Sequence, residues 1–205
     1  MLILIDYGFG NLRSVYNKLK RLDCTVKVSE HYDDIKSADK LILPGVGNFA
    51  TGINKLKERN QYDLIRQRAL EEKIPILGIC LGMQLFSMFS EEGESEGLKL
   101  INAKIIRFRI TEDQQYKLKV PHMGWNNVKI NGNSVLLKNI PEDSLFYFVH
   151  SYHYIADNPD FITGTTIYGY EFISLVEQEN IFGTQFHPEK SQDAGMQLLK
   201  NFVSL

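Results

Sequence analysis

Pro75-Ile76-Leu77-Gly78-Ile79-Cys80-Leu81-Gly82 changes character at its cysteine. Residues 75–79 are apolar throughout, as in a strand covered on both faces. Met83-Gln84-Leu85-Phe86-Ser87-Met88-Phe89, just beyond, has a helical pattern. Strand, glycine, nucleophilic side chain, glycine, helix is the order of a nucleophile elbow, in which glycines admit a sharp turn where a Cβ would collide. Such a turn lifts Cys80 to the mouth of a sheet, beside the positive end of the following helix, where a thiolate is favoured over a thiol.

The segments around this elbow predict the rest of the sheet. Residues 2–5 form a continuous apolar run, followed by the turn Tyr7-Gly8-Phe9-Gly10-Asn11 and by Leu12, Val15, Leu19 and Leu22 at helical spacing. Residues 25–28 and 40–43 read as the next strands, and 49–58 and 61–72 as helices. Strands alternating with helices indicate a parallel sheet with helices on both sides. After the acidic stretch 90–97 the pattern changes to short strand-like segments at 103–110, 126–130, 145–149, 163–167, 172–177 and 180–185, then a closing helix near 191–203. The expectation is therefore an α/β fold: an open mixed, largely parallel sheet flanked by helices, with an antiparallel extension in the C-terminal half. Residues 1–205 are read as a single domain, without repeat, linker or low-complexity tract.

The chain's 205 residues suit one such domain. A net charge of −2 gives no electrostatic case for nucleic acid or an anionic membrane. No apolar run approaches the roughly 20 residues of a spanning helix, and the N-terminus lacks the basic start of a signal peptide. Cys24 and Cys80, the only cysteines, form neither a disulfide framework nor a metal-binding spacing, so a cytoplasmic location is expected.

A cysteine nucleophile needs a base and a group that orients the base. Gln185-Phe186-His187-Pro188-Glu189-Lys190 supplies both, because residues two apart on an extended segment share a face and Pro188 biases His187 toward extended backbone. A lone free cysteine is more often a small buried hydrophobe, and His187 or Glu189 alone could be a core histidine or a surface charge. The elbow and the His-Pro-Glu segment together favour catalysis. Pro44-Gly45-Val46-Gly47 ends a predicted strand, where open α/β sheets place their ligands. Amides at Val46 and Gly47, with that of Leu81 after the nucleophile, are the candidate oxyanion hole; an ordinary Pro-Gly turn is the competing reading. Gly8-Phe9-Gly10-Asn11-Leu12-Arg13 is only a partial dinucleotide fingerprint, since Arg13 stands at the third glycine position. His122, His150 and His153 lack a metal-ligand spacing, so neither metal nor cofactor is expected.

These residues resemble a known family. Gly78-Ile-Cys80-Leu-Gly-Met-Gln84 with Gln185-Phe-His187-Pro-Glu189-Lys190 is similar to the class I, or triad, glutamine amidotransferases. Pro44-Gly-Val-Gly47, Pro121-His-Met-Gly-Trp-Asn126 and Tyr147-Phe-Val-His-Ser-Tyr152 resemble, within them, the glutaminase subunits of imidazole glycerol phosphate synthases. The likeness runs from Asp6 to Phe202. It implies that Cys80 attacks the side-chain amide of glutamine, that His187 manages the protons and that Glu189 orients His187. It implies that Gly47, Gln84, Glu92, Ser151 and Tyr152 hold glutamine, with Glu92 on the substrate ammonium. It further implies docking on a (β/α)8-barrel subunit through Asn11, Pro121, Met123, Trp125, Tyr147 and Lys190, the barrel using the ammonia to make imidazole glycerol phosphate and AICAR in histidine biosynthesis. Some relatives instead supply ammonia for amidination of a surface-polysaccharide sugar, and His153-Tyr154-Ile155, Gly183-Thr184-Gln185 and Gly195-Met196 lean toward that branch. Two readings of other kinds remain at this stage: a catalytically silent binding subunit, and a cysteine peptidase on the same general fold.

Overall fold

The apolar runs of the first 80 residues become four parallel strands. In chain order the elements are β1 (Leu2–Ile5), α1 (Leu12–Lys20), β2 (Val26–Ser29), α2 (Tyr32–Lys36), β3 (Lys40–Gly45), α3 (Phe49–Glu58), α4 (Tyr62–Leu70) and β4 (Ile76–Cys80). The computed structural model describes residues 1–111, 118–158 and 160–205. Its sheet runs β2-β1-β3-β4 in this half. Strand side chains alternate between faces, so each strand feeds two cores. Ile3, Ile5, Leu41 and Leu43 pack with Ile53, Leu56 and Ile65 of α3 and α4. Leu2, Leu4, Ile42, Leu77 and Ile79 pack on the other face with Val15 and Leu19 of α1. Two helices start at side-chain caps: Asn11 accepts from Ser14 N at 3.3 Å and Asn48 from Thr51 N at 3.0 Å.

The second half continues through α5 (Leu81–Gln84), β5 (Phe89–Ser90), β6 (Ser95–Glu96), β7 (Lys104–Arg107), β8 (His122–Asn127), β9 (Lys129–Ile130), β10 (Leu145–His150), β11 (Tyr152–Ile155), β12 (Ile162–Tyr168), β13 (Tyr170–Gln178) and β14 (Ile181–Thr184). A 3-10 turn at Pro188–Lys190 leads into α6 (Gln192–Val203), whose Leu198, Leu199 and Phe202 join the α1 side of the core. β14 lies parallel to β4, with Gly183 opposite Gly78. From β14 the sheet turns antiparallel through β13, β11 and β7. The expected parallel core with an antiparallel extension is therefore the observed architecture.

Two local expectations need correction. The helix expected over 83–89 is only the single turn α5. Its continuation is prevented because carbonyls that would propagate it are taken from outside: Leu98 N donates to Leu85 O, Leu100 N to Phe86 O and Lys99 N to Ser87 O. The apolar pattern there reflects consecutive burial of residues 83–87, not one helical face. The strand expected to begin at 126 begins at His122 instead, as β8, and ends at Asn127. It pairs with β10 in a separate two-stranded antiparallel ribbon that the sequence did not announce. Finally, α2 and β11 went unanticipated. Among the described residues no helix is long and apolar enough to cross a membrane.

Candidate active site

Cys80 is the last residue of β4 and has φ 53° and ψ −109°. Positive φ is uncommon for a side chain bearing a Cβ and strains the turn, as a nucleophile elbow requires. Its two glycines explain how the strain is held. A Cβ on Gly82 would lie 1.7 Å from the carbonyl oxygen of Leu43, so the elbow turn presses directly on β3. A Cβ on Gly78 would lie 2.6 Å from the backbone nitrogen of Met83, closing off the fold-back of the chain on itself. Because α5 is one turn long, a helix dipole gives Cys80 little of the expected support.

The histidine and glutamate reach Cys80 from β14, the neighbour of β4. His187 Nδ1 lies 2.8 Å from Glu189 Oε1, and the two residues are only 2% and 4% exposed. Nδ1 therefore donates to the carboxylate, leaving Nε2 as the working nitrogen. His187 keeps the extended backbone expected before Pro188, but Glu189 sits in a 3-10 turn and not on an extended segment. The pairing is thus made by the turn. Burial alone would lower the pKa of His187. The negative charge of Cys80 and then the Glu189 carboxylate outweigh it, and the pKa is pushed up to about 10. His187 is thereby held as an imidazolium. His187 Nε2 is buried and has no hydrogen-bond partner among the described residues, which leaves its proton for a reacting group.

Cys80 opens on a cavity of about 390 Å³. Val46, Gly47 and Leu81, the expected oxyanion residues, line it together with Gln84, Glu92, Ser151 and Tyr152, the expected glutamine ligands. Pro121 also lines it, and His187 and Glu189 are buried and not among its lining residues. The β3–β4 register sets Gly45 opposite Cys80, which brings residues 46–47 alongside the nucleophile. Gly47 has φ 111°, a conformation that favours glycine. Glu92 Oε2 accepts from Phe49 N at 2.8 Å, and burial raises its pKa against the opposing pull of that bond. Gln84 is placed differently from a free ligand: its amide nitrogen donates to Tyr152 O and to Gln185 Oε1, both at 2.9 Å. Gln185 Nε2 in turn lies 3.7 Å from the Cys80 sulfur.

The glycine turn after β1 finds its use here. Gly10 packs on Pro44, a Cβ on Gly47 would meet the Phe9 ring at 2.9 Å, and one on Gly45 would meet the Tyr7 hydroxyl at 2.6 Å. The turn buttresses residues 44–47. Tyr7 and Gln185 were not singled out from the sequence. The shared parity of Gln185, His187 and Glu189 was the available signal for Gln185.

On the outer face of the β8–β10 ribbon, Met123 is 62% and Trp125 46% exposed. Trp125 stands opposite Tyr147 and meets its ring edge-on, with centroids 5.8 Å apart. Lys190 Nζ lies 5.4 Å from the Tyr147 ring centre. These four expected docking residues adjoin one another, and Asn11 is exposed at the start of α1. Behind the patch, His187 N donates to Tyr147 O at 2.9 Å, and Ser191 Oγ bridges Tyr147 N and His187 O. Among the described residues no cluster of three or more His, Cys, Asp or Glu side chains could hold a metal ion.

A model of the family glutamine amidotransferase class-I matches residues 3–205. The chain is 45% identical over 203 residues to an imidazole glycerol phosphate synthase subunit HisH 2 of Methanococcus maripaludis, covering 99% of this chain and 98% of that one. It is also 45% identical over 205 residues to a protein of the same name from Pseudomonas aeruginosa, covering 100% of both. In three dimensions it resembles PurLQS from Thermotoga maritima, with a TM-score of 0.73 at 18% identity, covering 99% and 97% of the two chains. It likewise resembles a glutamine amidotransferase from Thermotoga maritima, with a TM-score of 0.68 at 15% identity and coverage of 99% and 96%. With its elbow cysteine, buried His–Glu pair and full-length likeness, the chain belongs to the class I glutamine amidotransferases.

Proposed function

We propose that the chain is the glutaminase subunit of an imidazole glycerol phosphate synthase. It hydrolyses glutamine to glutamate and delivers the ammonia to a (β/α)8-barrel subunit, which makes imidazole glycerol phosphate and AICAR in histidine biosynthesis. The names of its full-length relatives support this assignment. The observation that carries the glutaminase chemistry is Cys80, at a strained elbow, opening on the cavity that also holds Glu92.

The Cys80 thiolate attacks the side-chain carbonyl carbon of glutamine, and the carbonyl oxygen gains the negative charge. Backbone N–H groups at Val46, Gly47 and Leu81 stabilise that charge. His187 hands the proton on Nε2 to the departing nitrogen, the C–N bond breaks, and ammonia leaves a glutamyl thioester. His187, now neutral, takes a proton from water as it attacks the thioester. Glutamate leaves and the ion pair is restored. Glu92 takes the substrate ammonium, while Ser151 and Tyr152, with the Gln84 wall beside them, hold the neighbouring carboxylate. These steps call for no metal or cofactor. Met123, Trp125, Tyr147 and Lys190, with Asn11 and Pro121, form the docking face for the barrel. A cytoplasmic location accords with the two unpaired cysteines. The chemistry would be the same if the ammonia went to a sugar, but the relatives' names favour the histidine pathway. The intact buried His187–Glu189 pair argues against a silent binding subunit.

Cys80→Ala is the test. In the complex it should abolish glutamine-dependent synthesis while leaving synthesis from added ammonium salt intact, since the barrel carries the second reaction. Substantial glutamine turnover by Cys80→Ala would refute the assignment.

A further inference from the structure

Beside the triad lies a second group of buried polar side chains that the mechanism leaves unused. His150, at the end of β10, points its Nδ1 at the carbonyl oxygen of Tyr152, 2.8 Å away. A carbonyl only accepts, so Nδ1 carries the proton and Nε2 of the neutral ring is an acceptor. His122 Nδ1 lies 3.1 Å from that Nε2 and must therefore be a donor. Its own Nε2 is then an acceptor and faces Asn126 Nδ2 at 3.4 Å. The Asn126 amide is oriented independently: its nitrogen donates to Ile167 O at 3.0 Å and its oxygen accepts from Asn127 N at 2.9 Å. One carbonyl thus fixes the tautomers of two histidines and the direction of every bond.

The surroundings keep both rings neutral. Burial holds the pKa of His122 down at about 4 and that of His150 well below its ordinary value. Phe148 and Tyr168 stack on the two sides of His122, with ring centres 4.8 and 4.0 Å away. A positive charge on His122, His153 or His187 would disfavour a proton on His150 further, so every ionisable neighbour acts in the same direction as burial. The chain ends at the glutamine pocket. Tyr152 O also accepts from Gln84 Nε2, so the corner Ser151–Tyr152 is held from two directions. It begins on β8, where His122 and Asn126 occupy the inward parity and Met123 and Trp125 the outward one.

We propose that Asn126, His122 and His150 form a one-way chain of neutral hydrogen bonds that positions the Ser151–Tyr152 corner of the glutamine pocket and ties it to the docking strand. They are positioning residues, acting through Tyr152. This rests on the glutaminase reading above.

Three measurements test it. In the assembled synthase, His122→Phe keeps a flat ring but removes the donor. It should raise KM for glutamine about tenfold while kcat falls less than about threefold. His122→Asn, whose amide nitrogen stands where Nδ1 stood, should recover most of that loss. Imidazole nitrogen NMR shifts of the unaltered chain should show His122 and His150 as neutral Nδ1–H tautomers at pH 6. A folded His122→Phe enzyme with the parental KM overturns the proposal, and so does a His122→Asn enzyme as impaired as His122→Phe. An Nε2–H tautomer at either ring also overturns it, and decides the matter even if His122→Phe does not fold. A parent complex that hydrolyses no glutamine would refute the glutaminase reading instead, with the tautomers still deciding whether the chain exists.

Discussion

His187 is buried yet charged, and its environment resolves the conflict with two anions. Cys80 on one side and Glu189 on the other hold the imidazolium up to about pH 10. The proton is needed for the leaving ammonia, so activity should persist through neutral pH and fall only as pH rises through that value. Glu189→Gln removes one of the two supporting anions. It should move the alkaline limb of kcat/KM down by about 1–2 pH units and lower kcat by about a hundredfold or more. A pH–rate profile of the variant complex checks both, and an unmoved limb would show that Glu189 does not set the charge of His187. The grouping of Cys80, His187 and Glu189, the proposed triad, was legible in the sequence because local devices build it: glycines on each side of Cys80, and His187 and Glu189 two residues apart. Gln185 beside the sulfur and Tyr7 beneath Gly45 were not. Their partners lie 105 and 38 residues away, and no local pattern records contacts across such distances.

At the scale of elements, the β8–β10 ribbon separates what the sequence could express from what it could not. Proline, glycine and asparagine in Pro121-His-Met-Gly-Trp-Asn126 argue against a strand by propensity. Cross-strand pairing with Leu145–His150 overrides them. The alternation is nevertheless present, with His122 buried and Met123 and Trp125 exposed. The short α5 fails for a related reason, since the backbone groups of 85–87 bond to 98–100. Trp125 lies on the outward face of the ribbon, and its truncation should leave the free chain's melting temperature nearly unchanged. A large aromatic near the centre of an interface contributes about 2 kcal/mol, so Trp125→Ala should weaken assembly with the barrel roughly thirtyfold. Titration of the barrel against the folded variant measures it. Normal affinity would remove Trp125 from the interface.

For the whole molecule, the alternating αβ half was readable because its strands are covered on both faces and its helices are amphipathic. Strand order in the later half depends on long-range pairing that turn residues alone do not specify. The buried neutral histidines give this fold an acid weakness. Unfolded, His122 takes up a proton near pH 6.5; folded, it does so only near 4. Between those values the unfolded chain binds more protons, so stability falls as pH falls, and it is restored above about 6.5. The loss from His122 is roughly 2 kcal/mol once partial screening is allowed for. Urea unfolding at pH 7 and pH 4.5 measures it, and His122→Asn should show a shallower loss than the parent.

Tyr147 faces both ways. Its ring meets Trp125 and Lys190 outside, and its carbonyl receives the N–H of His187 inside. The surface that would choose a partner and the backbone that aims the base are therefore inherited as one piece. Re-matching such a protein to a new barrel has to be written in outward side chains such as Met123 and Lys190. An insertion or deletion within residues 145–150, however distant from Cys80 in the chain, would be an active-site lesion in disguise.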